Sequence, residues 1–280
     1  MSSVRTHSNT AVGAASKHGL AILATLAALV PLYFMLSTSF KTEVGYAENQ
    51  LSLPLSPTLE NFQSLIGNPQ FLTWIRNSFI LTVCSVAIGP TVASLAAYAF
   101  ACMDFRGRQP LFIAFVALLG IPSVALIIPL FRVMVRAHLI NTLQGAVLVY
   151  AGLMIPYTTY FLTGFFRRLP VSLFEAARLD GCGHWGIFRR IAVPLSRPGL
   201  VTLGIVNTLW VWNELLIAIV FLQRSDKRTL MAGLTLFQGE FASNIPAIMA
   251  GLTIAVVPMF VLYLSGLRFF LNGLTGGSEK

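Results

Sequence analysis

The sequence is poor in charge. Of its 280 residues only 10% are Asp, Glu, Lys or Arg, against roughly 25% in ordinary soluble domains. That scarcity excludes a water-soluble fold. With it come 56% hydrophobic residues and a mean hydropathy of +0.76, which specify an integral membrane protein. Cysteine is scarce too: Cys84, Cys102 and Cys182 have no spacing that implies a disulfide framework or a zinc site. The four histidines (His7, His18, His138, His184) are scattered, and Cys182-Gly-His184 offers only two metal ligands. No Gly-Lys pair occurs anywhere, so the chain lacks the glycine-rich loop that cradles nucleotide phosphates. It also lacks His-Glu-x-x-His and Gly-x-Ser-x-Gly, so no catalytic residues and no metal site are predicted. The net charge of +9 does not gather on a basic, aromatic face of a soluble domain, which argues against a nucleic-acid partner.

What is present is length in apolar runs. A bilayer core needs roughly 20 apolar helical residues, and six stretches qualify: about 19–40, 77–101, 110–131, 143–166, 199–222 and 246–267. The predicted fold is therefore all-α, with six membrane spans in contact with lipid. The first run reads as a span and not as a cleaved signal. Small residues Ala93 to Ala99 suit close helix packing in lipid. An even number of spans puts both ends on one side. Most Lys and Arg fall in the tail 1–18, the 102–110 loop, the 167–198 loop and the tail 271–280, so the positive-inside bias predicts both ends in the cytoplasm. Arg132, Arg136, Arg224, Lys227 and Arg228 oppose that bias. Residues 41–72 and 223–245 read as outer loops, the first as an extended segment. Pro31, Pro90, Pro122, Pro129, Pro156 and Pro258 punctuate the spans, either as tolerated kinks or as bending points.

One polar interruption stands out at 167–198, between the fourth and fifth spans. Ser172 and Glu175 have capping-box spacing, which predicts a short helix. Gly181 predicts a left-handed stop. A second piece should run from Gly183 to Ala192, until Pro194 removes a donor and forces an exit. A short, stiff helix between two spans is suited to docking and to pushing on both. Elsewhere Glu214 is the one acid well inside a span, either a functional charge or a structural one hydrogen-bonded between helices. Trp210 and Trp212 fit either a sugar face or the membrane interface.

The series Glu175-Ala176-Ala177, Asp180-Gly181, Phe188, Ile191, Pro194-Leu195 and Pro198 resembles the EAA loop of bacterial ABC importer permeases. Further resemblances are Arg76-Asn77-Ser78, Ala97-Tyr98-Ala99 with Phe105 to Arg108, and Leu139 to Thr142. Trp212-Asn213-Glu214, Gly239-Glu240 and Arg268 to Gly276 resemble the carbohydrate branch, in particular its maltose- and glycerol-phosphate-type second permease. The similarity covers about residues 20–276. Cys182 stands where the family usually has Ala, and the family's usual ending is replaced by Gly276 to Lys280.

The resemblance implies a type I importer permease with a cytoplasmic coupling helix, in a bacterial inner membrane. Its implied partners are a second, usually different permease subunit, two cytoplasmic ABC ATPase subunits and an extracytoplasmic solute-binding protein. No cofactor is implied for this chain, since ATP and Mg belong to the ATPases. Glu175, Ala176, Ala177, Asp180, Gly181 and Pro194 would couple to the ATPase. Asn77, Trp212, Asn213 and Glu214 would border the solute path, and the 223–245 loop would face the binding protein. The solute is expected to be a sugar, oligosaccharide or polyol. A permease for another solute such as polyamine, phosphate or peptide, and an ion-coupled carrier, are the alternatives. The carrier would need several titratable residues inside its spans and an inverted repeat.

Overall fold

Proline, glycine and side-chain oxygens mark several helix boundaries in this chain, and the computed structural model shows where. It describes residues 6–240 and 244–275, with side chains for 17–235 and 244–266. The Gly276–Lys280 ending and the side chains of Gly239-Glu240 and Arg268 onward therefore lie outside the described residues. Among the described residues there are helices and no strands. They divide into two compact units, one running up to Gly67 together with Phe237–Ile254, the other comprising Asn68–Leu236 and the chain from Ala255.

In the first unit α1 (Thr6–Ser39) contains the apolar stretch Lys17–Ser39. The segment after it is not the extended loop predicted from its prolines. It folds into α2 (Glu43–Glu48) and α3 (Glu60–Ile66). Two buried polar residues compel this. Asn61 donates to the carbonyls of Ser39 and Lys41, at 2.9 and 2.8 Å. Lys41, a residue only 3% exposed, donates its ammonium to those of Asn49 and Gln50. A buried cation needs such acceptors, and supplying them curls the chain.

The second unit is organised on α4 (Pro69–Cys102), which begins earlier than the predicted 77. Asn68 caps it by accepting from the Gln70 N–H, and Pro69 fits the first helical position. The third predicted span, 110–131, is not one straight helix. It splits into α5 (Arg108–Ala117), a 3₁₀ turn at Leu118–Gly120 and α6 (Ser123–Arg136), which meet at 103°. Ile121 is pushed into extended backbone by the following Pro122, which lacks a donor. Pro31, Pro90, Pro129, Pro156 and Pro258 instead lie inside helices.

The fourth predicted span is α7 (Leu143–Phe166), capped by Thr142. It packs along α4, and a side chain at Gly89 would meet the Ala151 carbonyl at 3.1 Å, so glycine permits the close approach. Ala93, Ser94 and Ala97 are buried on the same helix. Then follow α8 (Val171–Leu179), α9 (His184–Ile187), a π turn at Phe188–Ala192, α10 (Val193–Leu195) and α11 (Arg197–Asn213). The fifth predicted span breaks after Asn213 and resumes as α12 (Leu216–Phe221). Helices α13 (Leu230–Glu240) and α14 (Ile245–Thr275) follow, with Ile245–Gly266 apolar enough to span. Four unbroken helices are thus long and apolar enough to cross a membrane, five with the bent α5–α6 pair, among the described residues.

Candidate functional site

Helix α8 is amphipathic by residue choice. Phe174 and Ala177, three residues apart, are its buried residues, while Glu175, Ala176, Arg178 and Asp180 are exposed. The predicted capping box does not form. The helix starts at Val171 with Pro170 in the cap position, so Ser172 lies one residue inside and makes no side-chain cap. The other end matches its prediction. Gly181 has φ +78°, its N–H donates to the Arg178 carbonyl, and the Cys182 N–H donates to that of Ala177 at 2.9 Å. That pair of bonds is a Schellman stop. A side chain at Gly181 would touch nothing within 4 Å, so glycine is required by the backbone angle and not by space. The surface so presented includes Val171, Leu179 and Trp185, at 69%, 89% and 63% exposure.

Pro194 does not force the chain out, contrary to expectation. Proline cannot donate and its ring crowds the carbonyl four residues back, at Arg190. The helix widens instead: the Val193 N–H donates to Phe188, five residues back, and the π turn carries the path through Pro194 to Leu195. The whole segment is anchored by Tyr98 of α4. Its ring lies edge-on to Phe188 at 5.3 Å, to Phe166 of α7 at 6.2 Å and to His184 at 6.4 Å. Phe174, Ala177, Ile187, Phe188 and Ala192 join Leu162, Phe166 and Leu203 in one buried cluster. Movement of α8 is thereby tied to α4, α7 and α11.

The other group of predicted residues lies toward the opposite end of α4. Asn77 and Tyr98 are about 31 Å apart along the helix, close to the roughly 30 Å of a bilayer core. Asn77 is fully buried, and its amide donates to the carbonyls of Asp226 and Arg228, both at 3.0 Å. Trp74 donates its indole N–H to Ser225 at 2.9 Å, and the Ser78 hydroxyl accepts from the Leu230 N–H at 2.8 Å. Asn141, itself at φ +57°, accepts from the N–H groups of Gln223 and Arg224. The 223–230 segment is therefore clamped at both ends. Within it Asp226 pairs with Arg224 at 3.0 Å and Lys227 at 3.6 Å. Partial desolvation works against ionisation there, but the Arg224 hydrogen bonds and charge, aided by Lys227, hold the Asp226 carboxyl below its usual range.

Glu214 occupies the break between α11 and α12. Its carboxylate accepts from the Ile217 N–H at 3.0 Å, from the Ala218 N–H at 3.2 Å and from the Tyr150 hydroxyl of α7. It thus satisfies donors at the start of α12 that the helix itself leaves free. Trp212 is buried and donates to the Ala255 carbonyl of α14 at 3.1 Å. Asn213 is exposed, with its amide on the Leu209 carbonyl. Asn77 and Glu214 are thus held in separate networks, and Trp212 and Asn213 turn to different surroundings. Near the clamped segment, α6, α12 and α13 border an open cavity of about 790 Å³ lined by Phe131, Arg132, Ile219, Gln223, Arg228 and Thr235 among others. No cluster of three metal-binding side chains occurs among the described residues.

Residues 89–272 match the family of binding-protein-dependent transport system inner membrane components. The chain belongs to that family. The permease is 34% identical over 253 residues to the sulfoquinovosyl glycerol transport system permease protein of Agrobacterium fabrum, covering 90% of this chain and 89% of the other. It is 32% identical over 266 residues to the arabinooligosaccharides transport system permease protein of Halalkalibacterium halodurans, covering 94% of each. Its fold matches a subunit of a bacterial ABC transporter that imports the acidic polysaccharide alginate, with a TM-score of 0.83, 22% identity and coverage of 96% and 100%.

Sequence reasoning passes over several residues that the permease uses heavily. Trp74 and Asn141 find their partners 151 and 82 residues away. Tyr150, the partner of Glu214, has no local signal beyond a polar group in an apolar run, and that signal is there to be read. Gly145 is also legible in principle, as a glycine just inside a helix start: a side chain there would collide with the Leu139 carbonyl.

Proposed function

We propose that this permease is one of two membrane subunits of an ATP-driven importer for a sugar or oligosaccharide. One of two cytoplasmic ATPases docks on α8 and the other on the second permease, and an extracytoplasmic binding protein delivers solute at the 223–245 end. Both termini then lie in the cytoplasm, in line with the loop charges. The sugar class is supported by the relatives named for sulfoquinovosyl glycerol and arabinooligosaccharides. The second permease is a different chain, and the ATPases hold the ATP and Mg.

The single observation that carries the coupling role is the α8 stop at Gly181, seated on the Tyr98 cluster. An exposed helix whose end is fixed and whose inner face is packed can transmit a push instead of absorbing it. Glu175, Ala176, Asp180 and the apolar Leu179 meet the ATPase surface. Ala177 and Pro194 act from beneath, by packing and by setting the π turn. Switching requires that the ATPase contact this surface differently in two states.

Purification through this chain into nanodiscs tests the reading. Wild type should retain an ATPase subunit and show ATP-driven sugar uptake. Glu175→Ala with Gly181→Val should lose both while remaining monodisperse. A wild-type chain that holds no ATPase and moves solute alone under a pH gradient would sink the proposal.

A further inference from the structure

Of the five cations that oppose the positive-inside bias, all but Arg136 pair with Asp226 or line one cavity. Arg224 and Lys227 are spent on Asp226. Arg132 and Arg228 have no carboxylate partner among the described residues, yet both line the same cavity of about 790 Å³. That volume suits a small solute. The fold fixes the backbone at Arg228. Its carbonyl is held by Asn77, and the neighbouring Asp226 carbonyl by the same amide.

We propose that Arg132 and Arg228 recognise an anionic group on the transported solute, making this permease selective for an acidic sugar: a uronate, a sulfonate or a sugar phosphate. This rests on the sugar reading above and narrows it. Guanidinium groups fork onto carboxylate, sulfonate or phosphate oxygens. Gln223 and Thr235 add polar groups for hydroxyls, and Phe131 offers an apolar wall for a ring face. A phospholipid headgroup is the competing source of the same charge. It fits less well, because Gln223 and Thr235 beside the two cations suit the hydroxyls of a sugar. Unpaired cations in a concave site also raise the local concentration of anions.

The test uses right-side-out vesicles from cells expressing the whole transport system. Labelled cellobiose is compared with cellobiouronate, and digalactose with digalacturonate. Wild type should take up the charged member of at least one pair about tenfold faster than its neutral partner, and added salt should narrow the gap. Arg132→Gln with Arg228→Gln should cut that uptake about tenfold, while Arg132→Lys with Arg228→Lys keeps part of it. Unchanged ATPase co-purification shows that the variants fold. Equal or faster uptake of the neutral sugars would overturn the proposal and leave the sugar importer standing. Unchanged uptake in the Gln variant, with loss of co-purifying phosphatidylglycerol by mass spectrometry, would also overturn it and assign the pair to lipid. ATP-dependent uptake of no sugar would bring down the wider reading as well.

Discussion

At the Trp74 end of α4 the chain is joined by directional bonds: Trp74, Asn77 and Ser78 hold the 225–230 backbone, Asn141 holds 223–224, and Glu214 ties α12 to Tyr150. At the Tyr98 end the joining is apolar, with rings and methyl groups of Tyr98, Phe166, Phe174, Phe188 and Leu203 in one cluster. Hydrogen bonds fix one geometry and lose their energy within a fraction of an ångström. Apolar contact is proportional to area and tolerates sliding. The first end is built to keep a segment in one place. The second keeps α8 packed on α4, α7 and α11 by contact that tolerates small shifts. Under the proposed function, the first end meets the binding protein and the second meets the ATPase.

If the two ends are separable, mutations at one leave the other unchanged. The largest effect is expected from Phe174→Ala, which removes the main anchor of α8 and should cost about 4 kcal/mol. Hydrogen exchange should rise across 171–192 and ATPase co-purification should fall, with 223–230 unchanged. Exchange spreading to 223–230 would show that the two ends are not separable.

Asn77→Leu is the reciprocal experiment. Two carbonyls lose their shared donor in a buried place, at a cost of about 3 kcal/mol. Protease sensitivity should appear between Gln223 and Leu230, while the ATPase remains bound. If Asn77→Leu releases the ATPase as readily as Phe174→Ala does, the division of labour is wrong.

Gly181→Val isolates the backbone requirement, because a Cβ at this position meets nothing within 4 Å. The positive φ alone should cost about 1–2 kcal/mol. Gly181→Asn, which tolerates that region, should recover most ATPase binding in a pull-down titration. Equal loss in both variants would point to a contact at Gly181 itself instead of a backbone requirement.

These two ends are unequally visible in the sequence. Gly181 is legible because a glycine after a short amphipathic run has one common use, and Glu214 because an acid in an apolar span is rare. The capping-box spacing misleads because Pro170 already fixes the start of α8, which leaves Ser172 two positions past the cap. The third span reads as straight because hydropathy averages over a window and does not register that the chain turns by 103° at Pro122. Asn77 looks like a pathway residue; its two carbonyl partners lie 149 and 151 residues away and nothing local announces them. Directional bonds between distant segments leave no periodic trace, whereas the apolar end does, in the spacing of Phe174 and Ala177.

The smallest effect concerns Asp226, and its sign is fixed by the direction of its shift. The folded carboxyl titrates below its ordinary value. Its contribution is therefore complete above the ordinary carboxylate range and disappears as pH falls through the lower, folded value. The group is exposed, so the contribution is small and salt should screen it. Hydrogen exchange of residues 223–230 should be slightly faster in Asp226→Asn than in wild type at neutral pH, and the two should converge on acidification once exchange rates are corrected for pH. Convergence at neutral pH would mean that the backbone clamps from Asn77, Trp74 and Asn141 hold the segment without the ion pair. A gap that persisted in acid would assign the effect of the substitution to packing instead of charge.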